Sequence, residues 1–178
     1  PFCDLGFGLA NEPSILQALQ SQALALLQHE GGNSFDYRDS VNASPGNELA
    51  GKKVRMVLPL PGDTEALMAG FKSKLRSQIR KAEKNGLTCV VANSQTQIDD
   101  FYQIFAINMR KLGSPVHSKK WFECLFNHYA QQSILSVVYS DKVPVGAGIV
   151  LRTANKAAIP WASTVAEYNK LAPNMMLY

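Results

Sequence analysis

The sequence has no run of the roughly 18 consecutive apolar residues that a membrane-spanning helix needs. Its longest mostly apolar stretch, Ser133 to Leu151, is broken by Ser136, Ser140, Asp141, Lys142 and Pro144 and reads as two strands and a turn. Cysteine is sparse. Cys3, Cys89 and Cys124 are odd in number and far apart, which excludes a disulfide framework and a CxxC pair and points to a reducing compartment, the cytoplasm. His29, His117 and His128 are the only histidines, and no two have metal-ligand spacing, so no metal is expected. There is no G-x-S-x-G around a serine, no Walker loop, and no G-x-G-x-x-G opening a helix after a strand. Gly146-Ala-Gly148 lies inside a predicted strand and reads as a packing feature. Internal repeats and low-complexity segments are missing too.

What is present is an ordinary globular composition. Hydrophobic residues at 46% and charged residues at 18% exclude a disordered tail or a coiled-coil rod. The 178 residues suffice for one domain or parts of two. Eighteen basic against fourteen acidic residues give +4, which permits a phosphate-bearing partner without requiring one. The chain starts at Pro1, in what reads as a strand, and stops at Tyr178, just inside a helix start. The expectation is an internal piece of a longer chain.

Along the chain, Pro1 to Ala10 reads as extended. Asn11 is placed to cap a helix over Ser14 to His29, with Glu12 and Pro13 suited to its first turn and Gly31-Gly32 ending it. Ser34 to Val41 and Val54 to Leu60 read as strands. Asp63 caps a helical stretch through Met68, Gly70 kinks or divides it, and a second helix runs from Phe71 to Asn85, stopped by Gly86. Leu87 to Ala92 is a predicted strand and Thr96 to Leu112 an amphipathic helix, with Ile98, Phe101, Tyr102, Phe105 and Met109 at core spacing. After Gly113-Ser-Pro115, a helix over Ser118 to Gln131 carries Trp121, Phe122, Leu125 and Phe126, and His128 reads as structural. Ile134 to Tyr139, Val145 to Arg152 and Ala157 to Thr164 form a predicted antiparallel meander, and Pro173 opens a last helix. This order predicts an α+β fold with a mixed, mostly antiparallel sheet flanked by helices.

Three segments can carry chemistry. Between Phe71 and Lys84 there are six basic residues against one acid, Glu83. Lys72, Arg76, Arg80 and Lys84 recur every four residues, while Phe71, Leu75, Ile79 and Ala82 form the packing side. Such a stripe is either a solvated face or a phosphate site, because guanidinium groups form paired hydrogen bonds with phosphate oxygens. In the second segment a helix ends at Gly113-Ser-Pro115 with Arg110, Lys111 and His117 nearby, and histidine is suited to acid–base work. In the third, Pro160 implies an edge strand or a bulge, with Trp161, Ser163 and Tyr168 placed to line a cleft.

The run Lys74-Leu-Arg-Ser-Gln-Ile-Arg-Lys-Ala-Glu-Lys-Asn-Gly86 resembles the basic-helix signature of the FemAB family of acyl- and aminoacyl-transferases. Phe101-Tyr-Gln-Ile-Phe105, Met109 to Phe122, Trp161-Ala-Ser-Thr164 and Pro173-Asn-Met-Met-Leu-Tyr178 are similar to its branch associated with PEP-CTERM and exopolysaccharide systems. The resemblance covers most of the chain, most firmly Lys72 to Tyr178. It implies a fold related to the GNAT acetyltransferases. Residues 1–62 would be the end of a first subdomain, and 63–178 most of a second, truncated at its C-terminus. The better-known members use charged tRNA to extend peptidoglycan cross-bridges.

The implied activity is transfer of an activated acyl or aminoacyl group to an amine, on a cell-wall or exopolysaccharide precursor. The donor would be a phosphate-bearing small molecule, an acyl-CoA, or an aminoacyl-tRNA, with no tightly bound cofactor. Lys72, Arg76, Arg80 and Lys84 would hold its phosphates or those of a nucleotide-linked acceptor, with Arg110, His117, Trp161, Ser163 and Tyr168 around the cleft. The Q/R-x-x-G-x-G/A loop that binds acetyl-CoA pyrophosphate in GNAT enzymes is not visible, and no residue stands out as the catalyst. Two other readings stay open: a tRNA-binding module whose basic helix tracks a phosphate backbone, and an inactive scaffold that keeps the fold.

Overall fold

The computed structural model describes residues 8–35, 37 and 56–178. Its contacts divide the chain into two compact units, Pro1–Pro59 and Leu60–Tyr178. In the first unit, α1 spans Pro13–His29, with Pro13 in its first turn. Its N-cap is Glu12, one residue later than the predicted Asn11, and no side chain caps it. Proline fixes φ near the helical value and has no N–H to satisfy, so the helix starts at the proline itself. Gly31 follows at φ +67°, the left-handed conformation in which glycine pays no steric penalty.

Two predicted strands need comment. Most of Ser34 to Val41 lies outside the described residues, and Ser34, Phe35 and Tyr37 are not in a strand. Residues 54 and 55 are likewise outside them, while Met56 to Leu60 is irregular and exposed. An apolar run becomes a strand only where a neighbour takes its backbone hydrogen bonds, and among the described residues these five have none.

In the second unit, α2 is Thr64–Gly70, and the Asp63 carboxylate accepts from Ala66 N–H at 2.7 Å as predicted for a cap. Gly70 divides rather than kinks. Phe71 is extended, and α3 is a separate helix, Ser73–Lys84, followed by Gly86 at φ +72°. The strand β1 (Leu87–Val91) leads to α4 (Gln95–Leu112), which ends at left-handed Gly113, and to α5 (Lys119–His128), capped by the Ser118 hydroxyl. The latter stops three residues short of the predicted Gln131, and His128 is exposed at its end. The meander β2 (Ser133–Ser140), β3 (Val143–Arg152) and β4 (Ala157–Thr164) follows. A 3₁₀ helix, Ala166–Leu171, and the short α6, Asn174–Leu177, complete the chain.

The described strands form one sheet in the order β1-β2-β3-β4, every pair antiparallel. Asp141 and Lys142 make the β2–β3 turn with φ of +48° and +71°. This is the twist a two-residue hairpin demands, although neither residue is glycine. Two bulges interrupt the ladders. Val138 pairs with Gly146 but Tyr139 pairs with Pro144, which leaves Val145 as an extra residue in β3. Ile149 pairs with Trp161 but Leu151 with Ala158, so Ile159 and Pro160 together face Val150. Pro160 thus sits both on an edge strand and at a bulge, the two places where a missing N–H costs no ladder bond.

Side chains alternate across the sheet, and each face has its own core. Leu135, Val137, Ala147 and Ile149 point to α4 and α5, where they meet Ile98, Phe101, Ile104, Phe105, Phe122 and Phe126. Val138 and Val145 point the other way and join Leu87 under Tyr168, Leu171, Met176 and Leu177. Helix α3 packs on this second side, against α6 and β1, through Ala82.

Candidate functional site

The sheet separates the residues that the sequence singles out. Lys72, Arg76, Arg80 and Lys84 belong to α3 on one face. His117, Trp161 and Ser163 gather on the α4–α5 side, beside β4, the last strand of the sheet among the described residues.

On α3, Lys72 is the N-cap residue, exposed and without a capping bond. Arg76 is half-buried and turns back, its Nη1 donating to the Ala69 carbonyl at 3.4 Å. The cations that do come together are Arg80, Lys81 and Lys84, which with Ser77 line an open depression of ≈ 400 Å³. Helical geometry explains the change of membership. A strict four-residue repeat advances about 400° per step and so winds round the helix by about 40° each time. Residues spaced i, i+3, i+4, i+7 stay on one face, as these four do. Lys81 and Ser77 were therefore legible in the spacing, but a regular stripe hid them. The C-terminal end of α3 is fixed by Asn85, whose Nδ2 donates to the Leu171 carbonyl at 2.8 Å.

On the other face, the His117 ring stacks on Trp121 with centroids 4.7 Å apart and 18° between planes. Trp161 from β4 meets Trp121 edge-to-face at 5.1 Å and His117 at 6.3 Å. Phe122, fully buried, closes the floor 5.4 Å from Trp161. Trp121, which the sequence places on this helix without a site role, is 40% exposed and forms a wall of this aromatic corner. Its position one residue before the buried Phe122 is the signal that it leans off the core face. Two residues past Trp161, buried Ser163 accepts from Asn108 Nδ2 at 3.1 Å and ties β4 to α4. Asn108 was the unassigned partner. Arg110, two residues on and so round the helix from Asn108, is exposed and makes no side-chain hydrogen bond among the described residues.

Tyr168 lies on the 3₁₀ helix and packs into the second core, across the sheet from Trp161 and Ser163. Its neighbour Glu167 pairs with Lys111 of α4 at 3.1 Å. A bond from its own backbone N–H, then Lys111, hold the Glu167 carboxyl below the usual range. Burial raises the Cys89 thiol. Tyr139 is raised by burial first and then by its 2.6 Å hydrogen bond to the Asp100 carboxylate. No group of three or more His, Cys, Asp or Glu that could hold a metal occurs among the described residues. Nor is any described helix long and apolar enough to cross a membrane.

Among the described residues, β4 pairs only with β3. Its other edge, with no strand partner among these residues, runs past the aromatic corner at the Trp161–Thr164 end. A strand edge beside an apolar, half-open wall suits a ligand with a polar carbonyl and a hydrophobic or ring-bearing body.

An α+β domain with a bulged antiparallel sheet, two helices on one face and a helix turning in after β4 defines a GNAT-type fold. Residues 69–178 match the acetyltransferase (GNAT) domain family, and the chain belongs to that family. In three dimensions it is similar to FemX, whose crystal structure superposes with a TM-score of 0.55 at 13% sequence identity. The superposition covers 62% of this chain and 44% of FemX, so the chain spans less than half the length of that protein. At such low identity the likeness is one of fold. No curated protein matches the chain in sequence.

Proposed function

We propose that this chain carries an N-acyltransferase or aminoacyltransferase domain that moves an activated acyl group to an amine. The observation that carries the reading is the family match over 69–178, which includes the whole sheet, the aromatic corner and the segment leaving β4. In the reaction the amine nitrogen attacks the acyl carbonyl. The new C–N bond forms as the C–S or C–O bond to the carrier breaks, and the amine's proton ends on the leaving group. The edge N–H groups of β4 are suited to stabilise the oxyanion, and the His117 imidazole to take the proton. Trp121 and Trp161 would hold the acceptor. No enzyme nucleophile is needed, because the donor is already activated.

The sequence resemblance supports a finer reading. The donor is an acyl-CoA or an aminoacyl-tRNA, the acceptor an amine on a cell-wall or exopolysaccharide precursor, and the compartment the cytoplasm. Residues 1–62 and 63–178 belong to two GNAT-like subdomains, a reading supported by the division of contacts after Pro59. The test is transfer itself. The full chain is incubated with an amine acceptor and either acetyl-CoA or aminoacyl-tRNA, and the acylated amine is followed by mass spectrometry. Amine-dependent consumption of one donor is expected, with Trp161→Ala raising KM about tenfold or more through loss of a stacking wall. No transfer from either donor would contradict the reading.

A further inference from the structure

Among the described residues, Ser133 and Ser163 are the buried polar side chains, and they use their hydroxyls differently. Ser133 donates its hydrogen to the Tyr129 carbonyl at 2.8 Å. Ser163 accepts instead, from Asn108 Nδ2 at 3.1 Å, and among the described residues its own hydrogen has no acceptor. Chemistry sets that direction, because an amide nitrogen has hydrogens to give and no lone pair to offer. A buried hydroxyl hydrogen left over costs free energy, and an apolar pair of similar shape would join α4 to β4 without that cost. Asparagine is also a poor helix former, yet it stands inside α4. Stability alone does not account for the pair.

Its place in the fold does. Ser163 pairs with Ala147 and Trp161 with Ile149, and both partners point into the core under α4 and α5. Residues paired across a ladder share a face, so Ser163 stands on the same face as Trp161, about 7 Å further along β4. All but 5% of Ser163 is covered, which leaves room for a single acceptor atom and none for a bulky group. We infer that Asn108 is a positioning residue that holds the Ser163 hydroxyl as a hydrogen-bond donor to the acyl carbonyl oxygen of the donor substrate. The inference rests on the transferase reading and deepens it. As the amine attacks, that oxygen gains negative charge. A hydroxyl already polarised by the Asn108 amide stabilises the charged oxygen more than the neutral carbonyl. No bond of Ser163 breaks, and its proton stays on Oγ while the amine's proton passes to the leaving group. A nucleophilic Ser163 is the poorer reading. The Asn108 hydrogen occupies a lone pair that attack would need, and an amide cannot take up the serine proton.

Steady-state kinetics of the full chain, with acetyl-CoA or aminoacyl-tRNA as donor, tests the assignment beside denaturant unfolding of each variant. Ser163→Ala should lower kcat by on the order of tenfold to a hundredfold, with the donor KM changing by less than about threefold. Asn108→Asp is the sharper variant. Its carboxylate accepts from the Ser163 hydroxyl, so the tie between α4 and β4 stays while the hydrogen is turned away from substrate. Its kcat should fall as far, with the unfolding midpoint close to that of the unaltered chain. A kcat within about threefold in both variants, a rise in KM alone, or a loss that only follows the unfolded fraction would overturn the assignment. So would a chain acylated by the donor without amine, seen by mass spectrometry and lost in Ser163→Ala, since Ser163 would then be a nucleophile. No transfer by the unaltered chain from either donor contradicts the transferase reading and this inference with it. Transfer that both variants retain contradicts the inference alone.

Discussion

The two faces of the sheet are built from different materials. Under α4 and α5, ten buried apolar residues include four phenylalanines, and Phe122 touches Phe101 and Phe105 edge-to-face at 5.0 and 5.5 Å. Under α3 and α6 the buried cluster is Leu87, Val138 and Val145, with Ala82 and Pro173 buried beside it, roofed by half-exposed Tyr168, Leu171, Met176 and Leu177. The first face is a closed aromatic core. The second is thin, rests on close backbone approach and one side-chain anchor, and carries its charge outside. Burial supplies most of the folding energy on the first side, and the thinner second side is the freer to open locally.

Substitutions can break that contrast. The largest effect should come from Phe122→Ala, which removes a fully buried ring from the first core and should cost about 3–5 kcal/mol, read from denaturant unfolding. On the second face, Gly146→Ala should cost about 1–3 kcal/mol. A Cβ there would lie 3.2 Å from the Pro173 ring and 3.4 Å from a Thr164 methyl, neither of which swings away easily. Its signature would be faster proteolysis near α6 while β2 and β3 stay protected. Asn85→Ala should cost about 1 kcal/mol by freeing the Leu171 carbonyl, read from denaturant unfolding. The smallest change runs the other way. Lys142→Gly should stabilise by about 0.5–1 kcal/mol in thermal unfolding, because glycine accepts φ +71° without strain and the turn lies outside both cores.

How much of this was legible in sequence depended on whether a local signal decided the outcome. The meander was readable because β2, β3 and β4 carry alternating or continuous apolar runs divided by Asp141-Lys142 and Asn155-Lys156. Pro160 announced its edge and bulge for a steric reason. Helix α3 was bounded by Gly70 and Gly86, each acting through φ freedom or helix termination. Met56 to Leu60 was not readable, because a strand exists only with a partner, and partners are set by tertiary structure. The site divides in the same way. His117, Trp161 and Ser163 were visible as residue types that chemistry uses, and the fold brings them to one place. Trp121 was hidden among core aromatics, since periodicity assigns a face but not how far a ring leans out of it. The cationic site was half-visible: Arg80 and Lys84 appear in the stripe, while Arg76 is drawn off by a carbonyl no sequence pattern could predict.

The central claim is that the β4 edge and the segment following it, rather than the aromatic core, are where ligand is received. Amide hydrogen exchange with and without acetyl-CoA or aminoacyl-tRNA tests it most directly. The account predicts that amides of α4, β2 and β3 exchange only through global unfolding and are indifferent to ligand. Those from Trp161 to Leu177 should open locally and slow when one donor is added. Uniform protection across both faces, with no change at β4 on adding either donor, would contradict it.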